Sequence, residues 1–234
     1  MSCPWLASRA LLIVGAAWAC LTVVDCAAYS VGRAEERTLD GALGPASPRA
    51  HATRDQILSS ELGTYIGRVL AERDSVLDRW PDRVEQPIRV AIDEGVGLTG
   101  PGFVGAVRAA LTQWESVGIP VRFAVVGPSQ KADVRVHWAA MLPHKTGTTT
   151  WRVGRDGWLT SGDITLATHI SSGMPIDERG VRAIALHEIG HVLGLSHSGS
   201  PQDIMAPVVR VDALSDGDLA TIRLLYSLPA GRVH

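Results

Sequence analysis

The stretch HEIGHVLGLSH, residues 187–197, follows the pattern H-E-x-x-H-x-x-G-x-x-H. On a helix, positions i and i+4 lie on one face about one turn apart, so His187 and His191 can direct both imidazoles at one ion. Gly194 is suited to end that helix, because glycine adopts the left-handed conformation without a Cβ penalty, and the chain can then turn back to deliver His197. Three neutral imidazoles leave a tetrahedral Zn²⁺ one open position for water, which is typical of a catalytic zinc site.

Glu188 lies one step round the same helix, beside the metal rather than on it. A bare H-E-x-x-H motif has a real false-positive rate, but five fixed positions are much rarer. The alternative is a buried helix with two core histidines and an unrelated third one. The full pattern favours a single catalytic Zn²⁺.

Composition bounds the class of protein. The chain has 234 residues and a formal net charge of −2, enough for one sizeable domain plus an appendage. Both signs of charge are interspersed, so no nucleic-acid partner is expected. All three cysteines lie before residue 27, which predicts a folded domain with neither disulfides nor Cys-ligated zinc.

The first 29 residues indicate export. Arg9 precedes a run of mostly apolar residues from Ala10 to Val24, and small residues follow it. This N-terminal apolar helix is either a cleaved signal peptide or an uncleaved anchor that contacts the membrane through residues 10–28. A buried core helix is the third possibility. The catalytic part is thus expected outside the cytoplasm, secreted or tethered by one N-terminal segment.

Residues 30–79 separate that segment from the main domain. Residues 30–53 are rich in Gly, Ala, Pro, Ser and Arg and read as a linker. Apolar residues at helical spacing predict a helix over 54–79. It is either an inhibitory pro-segment or a stalk or packing helix, and the lack of a Cys to block zinc favours the second. Residues 229–234 are predicted to form a frayed tail.

The main domain is predicted over residues 80–228. Strands are expected at 87–93, 121–126, 133–138, 148–153 and 163–167, and helices at 103–117, from the Asp177 cap onward, and from the Ser215–Asp218 capping box onward. A helix between the first two strands predicts a βαβ start and partly parallel pairing. Residues 148–153 are placed at a sheet edge, where unpaired N–H and C=O groups can bind an extended peptide, although a plain surface hairpin fits equally well.

Further residues extend the zinc pattern to a family resemblance. Met205 lies eight residues past His197, within Ile204-Met205-Ala206-Pro207, and Ser198 directly follows the third histidine. Together with the zinc pattern, these residues resemble a metzincin with its Met-turn, in the matrixin branch. The resemblance covers roughly residues 80–228. It implies an α+β fold, a twisted mixed five-stranded sheet with three helices, whose cleft lies between the antiparallel edge strand and the zinc helix.

The resemblance also implies residue roles. His187, His191 and His197 would bind Zn²⁺, and Glu188 would be the general base. Met205 would form the apolar floor of the site, its alternative being a core methionine in a loop. The candidates for contact with substrate are Thr149, Thr150, Trp151, Ala183 and Pro207.

Some matrixin features do not match. The residues His144, Asp156, Asp163 and His169 lack the dense spacing of the family's second zinc site, so no structural zinc is expected and calcium is left open. The Cys latch of vertebrate zymogens is absent. Val208-Val209 replaces a tyrosine often found after the Met-turn, which puts the shape of the S1′ pocket in doubt.

Two function classes remain. The first is a monomeric zinc metalloendopeptidase, a hydrolase that acts on protein or peptide substrates outside the cytoplasm. The second is an exported, zinc-stabilised binding or scaffold module without proteolytic activity. Glu188 argues for the first, because a structural zinc site needs no base and closes its fourth position.

Overall fold

The computed structural model describes residues 63–232, apart from residues 74, 96, 101, 155 and 156. The predicted signal or anchor, the linker and the predicted helix up to residue 62 lie outside the described residues. Among the described helices none has the length and apolar character needed to cross a bilayer.

A five-stranded sheet with flanking helices forms the body of the protein. The described elements follow one another as α1 (Ile66–Glu72), β1 (Val76–Leu77), β2 (Arg83–Ile92), α2 (Phe103–Glu115), β3 (Val121–Val126), β4 (Val134–Ala139), β5 (Gly147–Val153), β6 (Leu159–Ala167), α3 (Glu178–Val192), α4 (Asp216–Ser227) and β7 (Gly231–Arg232). The three longer helices, α2, α3 and α4, are the three expected within the domain. This is the predicted α+β fold.

The strand order is β3-β2-β4-β6-β5. The pairs β2–β3, β2–β4 and β4–β6 are parallel, and only β5 runs antiparallel to its neighbour β6. Helix α2 supplies the crossover that a parallel β2–β3 pair requires. The mixed sheet and the antiparallel edge strand are therefore confirmed.

Strand β2 begins at Arg83, four residues before the predicted start at Pro87. Its pairing with β3 shifts register between Arg83 and Ile88. Proline has no N–H to donate to a ladder, so it is tolerated where the pairing is irregular. Pro87 therefore lies at an irregularity inside the strand rather than at its boundary.

The prediction of a helix that extends to residue 79 is wrong at its C-terminal end. Helix α1 ends at Glu72, and Ser75 has a φ of 60°, which takes the chain out of the helix. Val76–Leu77 then pairs antiparallel with Gly231–Arg232, so the prediction of a frayed tail is also wrong for residues 231–232. The apolar side chains that fitted a helical spacing are buried in a short strand instead.

Two tryptophans attach helix α3 to the rest of the core. The indole Nε1 of Trp114 donates to the carbonyl of Leu186 at 2.9 Å, and Nε1 of Trp80 donates to the carbonyl of Val192 at 2.8 Å. Both side chains are fully buried. The helix that carries the histidines is thus fixed along its last two turns.

The core also includes residues before the predicted domain boundary at residue 80. Ile66, Val69 and Leu77 are fully buried in the same hydrophobic cluster as the sheet and helix α3. Helix α1 packs against α4. The segment from residue 65 to residue 77 is therefore part of the folded unit that contains the histidines.

Candidate metal centre

Helix α3 begins and ends as its sequence predicts. The Asp177 carboxylate accepts a hydrogen bond from the Gly180 N–H at 2.7 Å, which satisfies one of the free donors of the first turn. After Leu193 the chain leaves the helix through Gly194, whose φ is 106°. A Cβ at Gly194 would meet the carbonyl of Asp78, so this turn requires glycine for both conformation and space.

The turn brings three imidazoles together. The ligand atoms of His187, His191 and His197 all lie within 4.8 Å of one another, and the Nε2 atoms of His187 and His191 are 3.1 Å apart. Among the described residues they form the one group of His, Cys, Asp or Glu side chains with this geometry. Such an arrangement could hold a metal ion.

Hydrogen bonds set the tautomers of the two helical histidines. Nδ1 of His187 lies 2.7 Å from the carbonyl of Ile204, and Nδ1 of His191 lies 2.9 Å from the carbonyl of Leu195. A carbonyl oxygen can only accept, so Nδ1 carries the hydrogen in both rings and Nε2 presents a lone pair when the ring is neutral. Metal-bound imidazoles commonly donate their other ring N–H to a backbone carbonyl in this way.

Burial keeps these two rings neutral. It lowers the pKa of His187 to about 4, with a further contribution from His197. Burial likewise lowers the pKa of His191 well below its usual value, assisted by the neighbouring His187 and His197. The neutral form of an imidazole is the one that can bind a metal ion, so the fold keeps both rings in that form near neutral pH.

Glu188, on helix α3, directs its side chain toward strand β5. Its side chain is fully buried, and the Thr149 hydroxyl donates to its Oε2 at 2.6 Å. Gly147, two residues earlier on β5, lies so close that a Cβ there would be 2.8 Å from Cδ of Glu188. The carboxylate is therefore enclosed by the edge strand.

Met205 packs beneath the zinc-pattern helix. Its side chain is fully buried, and a Cβ on Gly190 would overlap its Sδ and lie 3.1 Å from its Cε. The glycine in the H-E-I-G-H stretch thus permits close approach of the methionine. Met205 therefore packs against the helix turn that carries His187 and His191.

Asp218 holds the loop around Met205. This buried carboxylate accepts hydrogen bonds from the N–H groups of Ile204 at 2.8 Å and Ser215 at 2.9 Å, and from the Tyr65 hydroxyl at 3.0 Å. The predicted capping box of Ser215 and Asp218 is confirmed. By accepting from the Ile204 N–H, Asp218 also holds in place the residue whose carbonyl accepts a hydrogen bond from His187.

The other candidate residues differ in their exposure. Thr149 and Trp151 point into the protein and are buried, whereas Thr150 between them is half-buried. Ala183 is buried one turn before His187 on α3, and Pro207 is exposed after Met205. The histidine triad, Glu188, Thr149, Trp151 and Met205 thus share one region.

Sequence reasoning missed three contributors. Gly147 allows the close approach of Glu188, and Asp218 accepts hydrogen bonds from residues distant in the chain. A single sequence carries no signal for either role, apart from the capping box that includes Asp218. Arg73 is the third: its guanidinium is buried, donates to the carbonyl of Leu195 at 3.2 Å and lies 4.4 Å from the ring centroid of Trp151. Arg73 directly follows helix α1, and an arginine at a helix end is expected to face solvent.

Two plant proteins are similar to this chain over about half its length. "Metalloendoproteinase 1" of Glycine max is 27% identical over 147 residues, covering 54% of this chain and 46% of the relative. "Metalloendoproteinase 1-MMP" of Arabidopsis thaliana is 30% identical over 151 residues, covering 55% and 39%. The chain therefore spans less than half the length of these relatives.

A human protein is also similar to part of this chain, and a family model matches a longer region. "Matrix metalloproteinase-15" of Homo sapiens is 46% identical over 54 residues, which are 21% of this chain and 8% of that protein. The family model described as Matrixin matches residues 98–227, more than half of the chain and the whole region from the histidine helix to the end of α4. The chain belongs to the matrixin family.

Proposed function

We propose that this protein is a zinc-dependent endopeptidase that hydrolyses peptide bonds with Glu188 as the general base. The observation that carries the proposal is the juxtaposition of three imidazoles, whose ligand atoms lie within 4.8 Å of one another, with a fully buried carboxylate on the helix that carries two of them. Matrixin membership and the names of the two plant relatives, both metalloendoproteinases, support it. We further propose that it acts outside the cytoplasm, with residues 1–29 as a signal peptide or anchor.

The donor set fits Zn²⁺. His187, His191 and His197 offer three nitrogen ligands, and Zn²⁺ takes neutral imidazoles in tetrahedral sites with one position open. The carbonyls of Ile204 and Leu195 fix the ring orientations of the first two. Zinc bound there would polarise a scissile carbonyl and lower the pKa of a bound water to about 7.

Glu188 supplies the proton transfer. Its carboxylate takes a proton from the attacking water and passes it to the leaving amine, so no covalent intermediate is required. Burial and the hydrogen bond from Thr149 restrict the positions that the carboxylate can adopt. The chain thus supplies the base and the metal ligands from one helix and one loop.

Strand β5 supports binding of an extended peptide. It is the last strand of the sheet, it runs antiparallel to β6, and it packs against helix α3. A substrate that adds to its outer edge would lie beside the histidines, with main-chain hydrogen bonds giving affinity without side-chain selectivity. We propose protein or peptide substrates for this edge, with Thr150 as the partly accessible side chain among the three candidates on β5.

Zinc dependence tests the proposal. The full chain, purified with zinc, is expected to cleave an unfolded protein at internal bonds, to lose this activity on chelation and to regain it when zinc is returned. His197→Ala should lose zinc and cleavage, whereas His144→Ala, at an exposed loop position, should keep both. Stoichiometric zinc binding without any cleavage would contradict the proposal and favour a zinc-stabilised binding module.

A further inference from the structure

The Thr149 hydroxyl lies against the carboxylate of Glu188. Its Oγ1 is 2.6 Å from Oε2 and 3.2 Å from the backbone carbonyl oxygen of Glu188. Both side chains are fully buried. The hydroxyl is the donor and Oε2 the acceptor in this short hydrogen bond.

Gly147 bounds the same carboxylate. Residues two apart on a strand point to the same face, so Gly147 and Thr149 both face helix α3. A Cβ at position 147 would lie 2.8 Å from Cδ of Glu188 and 2.8 Å from Cγ2 of Ile184, and closer still to Oε1 of Glu188. Any larger residue there would have to displace the carboxylate or the helix.

A glutamate has three rotatable side-chain bonds and must be held for proton transfer. A general base acts only within hydrogen-bond reach of the proton, and a misplacement of about 1 Å can cost about a hundredfold in rate. On strand β5, the Thr149 hydroxyl donates to one oxygen of the Glu188 carboxylate. Gly147 on the same strand has no side chain, and this leaves room for the rest of the carboxylate group. Strand β5 is also the strand whose outer edge is proposed to bind the substrate.

We propose that Thr149 is a positioning residue for Glu188, and that Gly147 leaves the space which this position of the carboxylate requires. The proposal rests on the proposed function of Glu188 as general base. Strand β5 would then determine both the orientation of the bound peptide and the position of the Glu188 carboxylate.

Isosteric variants test this proposal against mere packing. Thr149→Val keeps the volume and loses the hydroxyl, so kcat should fall about ten- to a hundredfold with KM changed less than about twofold and zinc content unchanged. Thr149→Ser retains the hydroxyl and should recover most of kcat. Thr160→Val removes an exposed hydroxyl on β6 and serves as the matched control. If Thr149→Val matches the wild type in kcat, the proposal is overturned.

A second variant probes the space at position 147. Gly147→Ala should bind zinc and lose kcat as Thr149→Val does, because the added methyl group moves the carboxylate rather than the histidines. If Gly147→Ala fails to fold, Thr149→Val and Thr149→Ser still decide the proposal. A Gly147→Ala protein with full kcat would contradict the part assigned to this glycine.

A measurement without activity separates the two proposals. In the zinc-free protein, Thr149→Val should lower the melting temperature by about 2–6 °C, and by clearly less when Glu188 is already alanine. Equal shifts in both backgrounds would show that Thr149 does not hold Glu188 and would overturn the positioning proposal. A zinc-loaded wild type that cleaves nothing would instead overturn the proposed function, while the thermal cycle would still decide whether Thr149 holds the carboxylate.

Discussion

The guanidinium carbon of Arg73 lies 4.4 Å from the ring centroid of Trp151. Trp151 in turn stacks on His191, with ring centroids 6.5 Å apart and an interplanar angle of 16°. Arg73 also donates to Ser196 Oγ at 3.3 Å and to the carbonyl of Leu195. A residue that precedes the matched family region thus supports both a helical histidine and the loop that leads to His197.

Loss of this support should weaken the metal centre. Arg73→Met removes the hydrogen bonds to residues 195 and 196 and breaks the buried ion pair with Asp78, so we expect a loss of about 3 kcal/mol in the free energy of unfolding. Zinc affinity should fall about tenfold or more, because the loop before His197 loosens.

Urea unfolding and competition with a zinc chelator measure these two effects. Arg108→Met removes an exposed arginine of helix α2 and is the control, with little change expected in either. If Arg73→Met matched Arg108→Met in both measurements, Arg73 would have no part in the metal centre.

Asp218 should be essential for the loop around Met205. In Asp218→Asn one of the two acceptor oxygens becomes a donor. Oδ2 accepts from the N–H groups of Ile204 and Ser215, and Oδ1 accepts from the N–H of Met205 and the hydroxyl of Tyr65, so either orientation of the amide sets a donor against a donor and we expect a loss of about 2–4 kcal/mol. Denaturant titration of the zinc-free protein measures it. The exposed Asp216, two residues earlier in the same helix, provides the control Asp216→Asn. Equal stability of the two variants would show that the network around Asp218 is dispensable.

Two glycine-to-alanine changes should have opposite signs. Gly190→Ala places a methyl group against Met205 and 3.2 Å from Cζ2 of Trp114, so it should destabilise the protein by about 1–3 kcal/mol. Gly105→Ala on α2 meets nothing within 4 Å and should stabilise it by about 0.5–1 kcal/mol, since alanine favours a helix interior. Thermal unfolding of both variants provides the comparison. A neutral Gly190→Ala would contradict the close packing of the methionine on the helix.

Acid should destabilise the zinc-free protein. The folded-state pKa of His187 is about 4 against an ordinary value near 6.5, so the unfolded chain binds more protons between these pH values. The stability contributed by the neutral ring is therefore present above pH 6.5 and is lost as the pH falls toward 4, by about 3 kcal/mol in total. The lowered pKa of His191 acts in the same direction.

Urea unfolding of chelated protein between pH 4 and pH 8 tests this dependence. His187→Gln should flatten part of the curve, because the variant has no ring to protonate. A wild-type curve without any decline below pH 6.5 would show that the ring is protonated in the folded state.

The sequence predicts those features that depend on local patterns. The caps at Asp177 and Ser215 and the exit at Gly194 each follow from residue type and spacing over a few positions. The spacing of the three histidines likewise specified their convergence, since a helix turn and a glycine turn are both local geometry.

The features it did not predict depend on contacts between distant residues. Val76–Leu77 has apolar side chains that suit a helix as well as a strand, and its partner strand lies more than 150 residues later in the chain. Arg73 is a charged residue whose burial is decided by Asp78 and by the loop before His197, not by helix α1, which ends one residue before it. Gly147 matters because Glu188 and Ile184 of helix α3 lie across from it.

The kcat of Glu188→Gln, measured against wild type at matched zinc content on one internally cleaved peptide, tests whether Glu188 is the general base. The substitution keeps the size of the side chain and removes the base, so zinc binding should persist while kcat falls about a hundred- to ten-thousandfold. Glu178→Gln, at an exposed position in the first turn of the same helix, should retain wild-type kcat. A zinc-loaded Glu188→Gln protein that cleaves at the wild-type rate would contradict the account.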